Sequence, residues 1–423
     1  MHHHHHHENL YFQGMQEIIG ASLVFLCNEK CEVLEDYGVV FDEKIVEIGD
    51  YHNLTLKYPH LKAQFFENSV LLPAFINAHT HFEFSNNKAS FDYGSFSGWL
   101  GSVLNNGGAI LENCQGAIQN AIMAQLKSGV GSVGAISNHL IEVNLLKESP
   151  LNAVVFLEFL GSSYSLEKLK AFEAKFKELK DLEDQKLKAA LAVHAPYSVQ
   201  KDMALSVIQL AKDSQSLLST HFLESLEELE WVENSKGWFE NFYQRFLKES
   251  NFTSLYEGAN DYIDMFKDTH TLFVHNQFAS LEALKRIKSQ VKNAFLITCP
   301  FSNRLLSGKA LDLERVREAG LSVSVATDGL SSNISLSLLD ELRAFLLSHN
   351  MPLLELAKIA LLGATRHGAK ALALNNGEIE TNKRADLSVF GFNEKFTKEQ
   401  AILQFLLHAK EVERLFLGGK RVI

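Results

Sequence analysis

The chain is poor in cysteine, in long apolar runs and in positive charge, and each shortage closes off a class of function. Four cysteines in 423 residues, none in a C-x-x-C pair, do not build a disulfide framework, so a reducing, cytoplasmic setting is the expectation. Cys27 and Cys31 would give a metal two ligands with no second pair nearby, and buried thiols are the simpler reading. No stretch is long and apolar enough to span a bilayer, and the segment from Met15 lacks the basic-then-apolar pattern of a secretion signal. A formal net charge of −11, spread without long single-sign blocks, argues against nucleic acid and against an anionic membrane surface. The expected partner is a small molecule.

Residues 1–14, with His2 to His7 followed by Glu8 to Gly14, read as a purification tag and protease site and are set aside. With those six removed, twelve of the eighteen histidines remain, and a hydrophobic content of 46% suits one large core with a satellite. Short strand-like segments occur at both ends, over Ile18 to Leu26, Gly38 to Phe41 and Ile45 to Ile48, then over Ala385 to Phe390 and Arg414 to Leu417. Neither group is large enough to fold alone, so residues 15–69 and 376–423 are expected to pair into one small sheet domain.

The middle, residues 70–375, repeats apolar strand, polar turn and amphipathic helix. Strand candidates fall at 70–78, 130–136, 153–158, 189–193, 217–220, 272–274, 294–298 and 321–327. Eight such units predict a closed parallel (β/α)8 barrel whose active site lies at the carboxyl ends of its strands. Apolar runs end there in titratable residues: His79-Thr80-His81, His221, His275 and Asp328. Because side chains alternate along a strand, His79 and His81 point to one side. Three imidazoles from His79, His81 and His221 plus the Asp328 carboxylate, with a position left for water, match a catalytic metal site better than a structural one.

Several local runs resemble the amidohydrolase superfamily, in the branch that deaminates purines and other aminated heterocycles. They are Leu72-Pro73-Ala74-Phe75-Ile76-Asn77-Ala78-His79-Thr80-His81, His194-Ala195-Pro196-Tyr197, Thr220-His221-Phe222-Leu223-Glu224, Cys299-Pro300-Phe301-Ser302-Asn303, Thr327-Asp328-Gly329 and Ala385-Asp386-Leu387. The resemblance implies that His79, His81, His221 and Asp328 are the metal ligands, and that the terminal segments form the small β-sandwich such proteins add to the barrel. Binuclear members carry a carboxylated lysine at the end of the fourth strand. Here that strand ends in His194, and Lys186 and Lys188 precede it, so one divalent ion is expected, Zn²⁺ or Fe²⁺.

On this resemblance the ion acidifies a water, Asp328 and His275 hold or deprotonate it, and Glu224, three residues after His221, carries a proton to the ring nitrogen beside the amine. A glutamate at the start of a helix is also favoured by electrostatics alone. His194 and Ser332 correspond to substrate-contacting positions of the superfamily. Glu158 ends the third candidate strand and either faces the pocket or pairs with a neighbour. His139, His349, His367 and His408 fall outside strand ends and read as surface or packing residues.

The segment Phe82-Glu83-Phe84-Ser85, with Phe91, Tyr93, Phe96 and Trp99-Leu100, supplies either aromatic walls for a ring-bearing ligand or core packing under a long loop. Relatives acting on methylthioadenosine or S-adenosylhomocysteine carry a glutamate soon after the Trp-Leu pair, whereas Gly101 to Ile110 contains no acid. The stretches from His79 to Ser85 and from Phe96 to Leu100 instead resemble the aminofutalosine deaminases of menaquinone biosynthesis, a resemblance that implies Glu83 as a substrate contact. These act on 6-amino-6-deoxyfutalosine, an adenosine analogue with a carboxyphenyl ketone on its sugar, and Arg304 is the cation expected at that carboxylate. Deaminases of adenosine, methylthioadenosine, S-adenosylhomocysteine or guanine are the alternative. A heterocycle chlorohydrolase and a non-catalytic scaffold stand further off. The apolar insertion around Trp238, Phe239, Phe242 and Tyr243 suits an interface, such as that of a homodimer, or a pocket lid.

Overall fold

A computed structural model describes residues 15–86, 88–247 and 253–423; the tag-like segment 1–14 lies outside them. Two compact units emerge. One comprises the chain up to Ile76, Gln125–Gly131 and Asn350–Ile423, and the other Asn77–Ala124 and Ser132–His349. The helices Leu353–Gly363 and Arg366–Ala371, within the segment expected to belong to the barrel, cluster with the terminal sheet.

Both ends of the chain contribute to one seven-stranded sheet. Its strands are β1 (Glu17–Phe25), β2 (Val33–Phe41), β3 (Ile45–Asp50), β4 (Lys62–Pro73), β13 (Leu387–Gly391), β14 (Arg414–Leu417) and β15 (Lys420–Arg421), in the order β15-β14-β13-β4-β1-β2-β3. Phe41 of β2 and Phe416 of β14 stand four strands apart in that order. A flat sheet would separate them by roughly 19 Å at about 4.8 Å per strand, yet their ring centroids are 5.3 Å apart. The sheet therefore curls until its two wings face each other, in the manner of a sandwich. The enclosed core includes Ile19, Val39, Leu71, Leu387 and Val389.

The second sheet has eight strands: β5 (Phe75–Thr80), β6 (Val130–Ser137), β7 (Asn152–Phe159), β8 (Leu187–Val193), β9 (Leu218–Phe222), β10 (His270–His275), β11 (Asn293–Thr298) and β12 (Val323–Val325). They lie in sequence order, and each neighbouring pair from β6 to β12 is parallel. The fold is a (β/α)8 barrel. Strands β5, β6 and β7 are buried along their full length, which is why they read as continuous apolar runs rather than alternating ones.

The expected strand 70–78 is in fact the junction of two sheets. Its first part closes β4, which pairs with β13, and the chain re-enters as β5 after Ala74. At the seam between β12 and β5 a side chain does the joining. Asn77 Nδ2 donates to Thr327 Oγ1 at 2.8 Å, and the Thr327 amide donates to Asn77 Oδ1 at 3.2 Å. One residue further on, the Asp328 amide donates to the His79 carbonyl at 3.0 Å.

Candidate active site

His79 is the penultimate residue of β5, and His81 follows that strand. Their Nε2 atoms lie 3.1 Å apart, and Asp328 Oδ1 is 3.3 Å from the first and 3.2 Å from the second. His221, in β9, hydrogen-bonds through Nδ1 to the His194 carbonyl at 2.8 Å, which leaves its Nε2 lone pair uncommitted. The ligand atoms of His79, His81 and His221 all fall within 4.8 Å of one another. Two buried imidazole nitrogens at this separation share at most one proton, and the carboxylate adds further lone pairs. An ion with N and O ligands at about 2.0–2.2 Å places those ligands roughly 3.0–3.5 Å apart, the spacing found here. His79, His81 and Asp328 have that spacing and His221 adds a nitrogen within 4.8 Å of both histidines, so the cluster fits a divalent cation in donor type. Lys186, by contrast, donates its Nζ to the carbonyls of Lys147 and Ser149, away from the cluster.

The backbone at these strand ends is held in an unusual conformation. His275, Asn276, Leu223 and Asp328 all have positive φ, at +86°, +67°, +48° and +56°. Non-glycine residues adopt such angles at a cost of about 1–3 kcal/mol, sustained only where neighbours over-determine them. Here the neighbours are visible. The Asn276 amide donates to the Phe222 carbonyl at 2.9 Å. The Asp328 carbonyl accepts from Thr80 and Thr327 hydroxyls at 3.1 and 2.9 Å. Glu228 accepts from the amides of Leu223 and Glu224 at 2.6 and 3.2 Å, and its own amide donates to Ser225 Oγ at 3.1 Å. The Ser225-x-x-Glu228 spacing is a helix-start signal legible in sequence, and it fixes the loop that carries Glu224.

Glu224 Oε2 lies 3.3 Å from His275 Nε2, which is itself 3.7 Å from Asp328 Oδ2. All three are buried. Burial, followed by repulsion from Asp328 and Glu228, pushes the Glu224 carboxyl well above its ordinary range. Burial brings the His275 imidazole down to about 3, so that ring is neutral. For Asp328, burial raises the carboxyl, but hydrogen bonds and charge from His79 and His81 outweigh it and hold it ionised. The site thus sets a carboxyl raised by burial beside one lowered by its two histidines, the division that acid and base roles require.

These groups sit at one end of a cavity of about 640 Å³. His194 lines it, with Nδ1 held by Ser198 Oγ at 2.6 Å. Glu158 lines it too, accepting from Asn138 Nδ2 at 3.1 Å through one oxygen. Of the aromatic segment after β5, Phe84, Trp99 and Leu100 form cavity wall, while Phe82, Phe91 and Phe96 are buried packing. Phe239 stacks on Tyr197, another wall residue, at 4.6 Å, so the apolar insertion around Trp238 backs the cavity.

Three expected substrate contacts stand elsewhere. Glu83 is buried, and its carboxylate accepts the amides of Asn138, His139 and Ile141 at 2.6, 2.9 and 3.5 Å, so it shapes the loop after β6 rather than lining the cavity. Arg304 is exposed and lines a separate cavity with Asp340 and Arg343. Ser332 is buried, its Oγ 3.5 Å from Asp328 Oδ2, behind the cavity wall. Ser302 Oγ donates to the same oxygen at 3.0 Å. Neither Ser302 nor the Asn77–Thr327 pair was assigned a role from sequence.

The chain resembles known proteins over nearly its whole length. The model of the amidohydrolase family matches residues 70–422. A Helicobacter pylori relative named adenosine deaminase is 96% identical over 409 residues, 97% of this chain and 100% of its own length. A Nitratiruptor relative named aminodeoxyfutalosine deaminase is 37% identical, over 92% of this chain and 95% of its own. The crystal structure of Helicobacter pylori aminofutalosine deaminase superposes with a TM-score of 0.93 at 97% identity, covering 97% of this chain and 100% of that one.

Proposed function

The chain belongs to the amidohydrolase family, and we propose that it is a metal-dependent deaminase that converts 6-amino-6-deoxyfutalosine and water to futalosine and ammonia. The names of the 97%-identical structure and the 37%-identical relative support that substrate. The observation that carries the chemistry is Glu224, its carboxyl raised by burial, facing neutral His275 and ionised Asp328 in an aromatic-walled cavity. Adenosine is the second reading, favoured by the name of the 96%-identical relative.

His79, His81, His221 and Asp328 would hold one divalent ion, Zn²⁺ or Fe²⁺. Bound there, such an ion lowers the pKa of a water toward about 7. His194, its Nδ1 tied to Ser198, presents its other ring nitrogen to the purine. Asp328 and His275 orient the attacking oxygen against the amine-bearing carbon and accept its hydrogen bonds. Glu224 moves a proton from that oxygen to the adjacent ring nitrogen, which makes the carbon electrophilic, and returns protons to the amine as the C–N bond breaks. Ammonia leaves, and the ring carbon keeps the oxygen. Burial of Glu224 keeps its proton affinity high enough for both transfers.

The test is to incubate metal-loaded protein with 6-amino-6-deoxyfutalosine, adenosine and methylthioadenosine, following the ultraviolet shift from adenine to hypoxanthine together with ammonia. Faster turnover of the first supports the assignment. Equal or faster turnover of adenosine replaces it with the second reading.

A further inference from the structure

Both signs of charge line the cavity. Glu158, Glu224 and Asp328 are its carboxylates, and its lysines, Lys168 and Lys175, both come from one helix, Leu166–Asp181. They are seven residues apart, two helical turns on one face, with about 10 Å of rise between them. Phe172 occupies the turn between and meets Phe159 edge to face at 5.1 Å, and both rings line the cavity. Lys168 Nζ lies 5.9 Å from the centroid of Phe159, and Lys175 Nζ donates to the Asn138 carbonyl at 3.2 Å. Among the described residues neither ammonium is ion-paired with a carboxylate.

Lysines on an outer helix usually do no more than solvate a surface. These two differ because they border the same cavity as three carboxylates and carry no counter-ion of their own. An anionic group entering the cavity is repelled by its carboxylates and attracted by the ammonium groups of this helix. For a nucleoside whose purine sits beside Glu224, these lysines are the cavity's cations for an acid on its sugar substituent. Arg304, which lines a different cavity, is not available to it.

We propose that Lys168 and Lys175 bind the carboxylate at the distal end of the substrate, with the Phe159–Phe172 pair beneath the ring that bears it. This contact, rather than the purine end, separates the carboxylated nucleoside from adenosine. The assignment rests on the deaminase reading above and deepens it.

The test compares 6-amino-6-deoxyfutalosine with its isosteric carboxamide, which keeps the shape and removes the charge. Wild-type protein is expected to favour the acid about 30-fold in kcat/KM, mostly through KM, as suits charge-assisted hydrogen bonds at a partly exposed site. In the Lys168→Met, Lys175→Met double variant that ratio falls to within about threefold of one. The Lys168→Arg, Lys175→Arg variant keeps a preference above about tenfold, which a merely structural role would not predict. No acid preference in the wild type, or an undiminished one in the double methionine variant, overturns the proposal. The same ratio is measured in parallel as binding affinity for futalosine and its carboxamide by calorimetry. If neither nucleoside is turned over, the deaminase reading fails on its own, and the binding ratio still decides the lysines: acid preference lost in the methionine variant supports them, and its absence overturns them.

Discussion

Glu224 and His275 face each other across 3.3 Å, from the loop after β9 and the last residue of β10, with burial raising the carboxyl and keeping the imidazole neutral. This pairing of a raised acid with a depressed base makes proton transfer the part of catalysis that belongs to the chain itself. Replacing Glu224 with Gln keeps the side chain's size and its hydrogen bonding while removing the proton it relays. Turnover is expected to fall about 10²–10⁴-fold, with metal content and thermal stability close to wild type. Loss of metal in the same variant would show that Glu224 serves the cluster's integrity instead.

The convergence of His79, His81 and Asp328 at 3.1–3.3 Å yields a prediction about stoichiometry. Elemental analysis of active protein should find one divalent ion per chain, and chelation should abolish activity until Zn²⁺ or Fe²⁺ is restored. An ion that binds only the folded state stabilises it by mass action, about 4 kcal/mol at a thousandfold excess over its dissociation constant, so the melting temperature should drop on chelation. Two ions per active chain would contradict the single-ion reading and direct attention to Glu158, His194 and His221, which form a second potential ligand group.

The barrel seam supplies a stability test. Asn77 bonds both to the hydroxyl and to the amide of Thr327 in a fully buried setting, beside the Asp328 amide bond to His79. Asn77→Ala would leave the Thr327 amide without this acceptor, at a cost of about 1–3 kcal/mol, and would loosen the strand end that carries Asp328. The expected result is a lower melting temperature together with reduced metal retention. An unchanged melting temperature would mean that the seam is held by other contacts.

Much of the site was legible because its residues terminate apolar runs. His79, His81, His221, His275 and Asp328 each announce themselves at the end of a strand that the pattern of buried residues already marks, and side-chain alternation puts the first two on one side. The residues that escaped work through space rather than spacing. Asn77 lies inside an apolar run, and nothing local says that it meets Thr327 some 250 positions later. Glu83 looked like a pocket acid because it follows the His-x-His pair, yet its oxygens are spent on three amides of a different loop. Arg304 follows a family-like motif, but the helix Pro300–Leu305 carries it to another cavity. Lys168 and Lys175 are invisible in sequence because a lysine on an amphipathic helix looks the same whether water or a cavity lies beyond it. The sheet change at Pro73–Ala74 was hidden by the same continuity, since both sheets bury what they receive.

The loop after β6 gives a pH prediction. Glu142 is fully buried, and burial first, then repulsion from Glu83, raises its carboxyl to about 8 from an ordinary value of 4.5. The folded state therefore binds a proton that the unfolded chain releases near its ordinary value. A raised carboxyl contributes stability that is complete below the unfolded value and is lost as pH climbs through the folded one. Wild-type melting temperature should decline between roughly pH 5 and pH 8 by more than other groups account for. Glu142→Gln mimics the protonated form at every pH, so its decline should be shallower and its advantage over wild type should grow toward alkaline pH by a few degrees. Parallel curves for the two proteins would mean that Glu142 already carries its charge in the fold, with the Ser137 hydroxyl compensating for it.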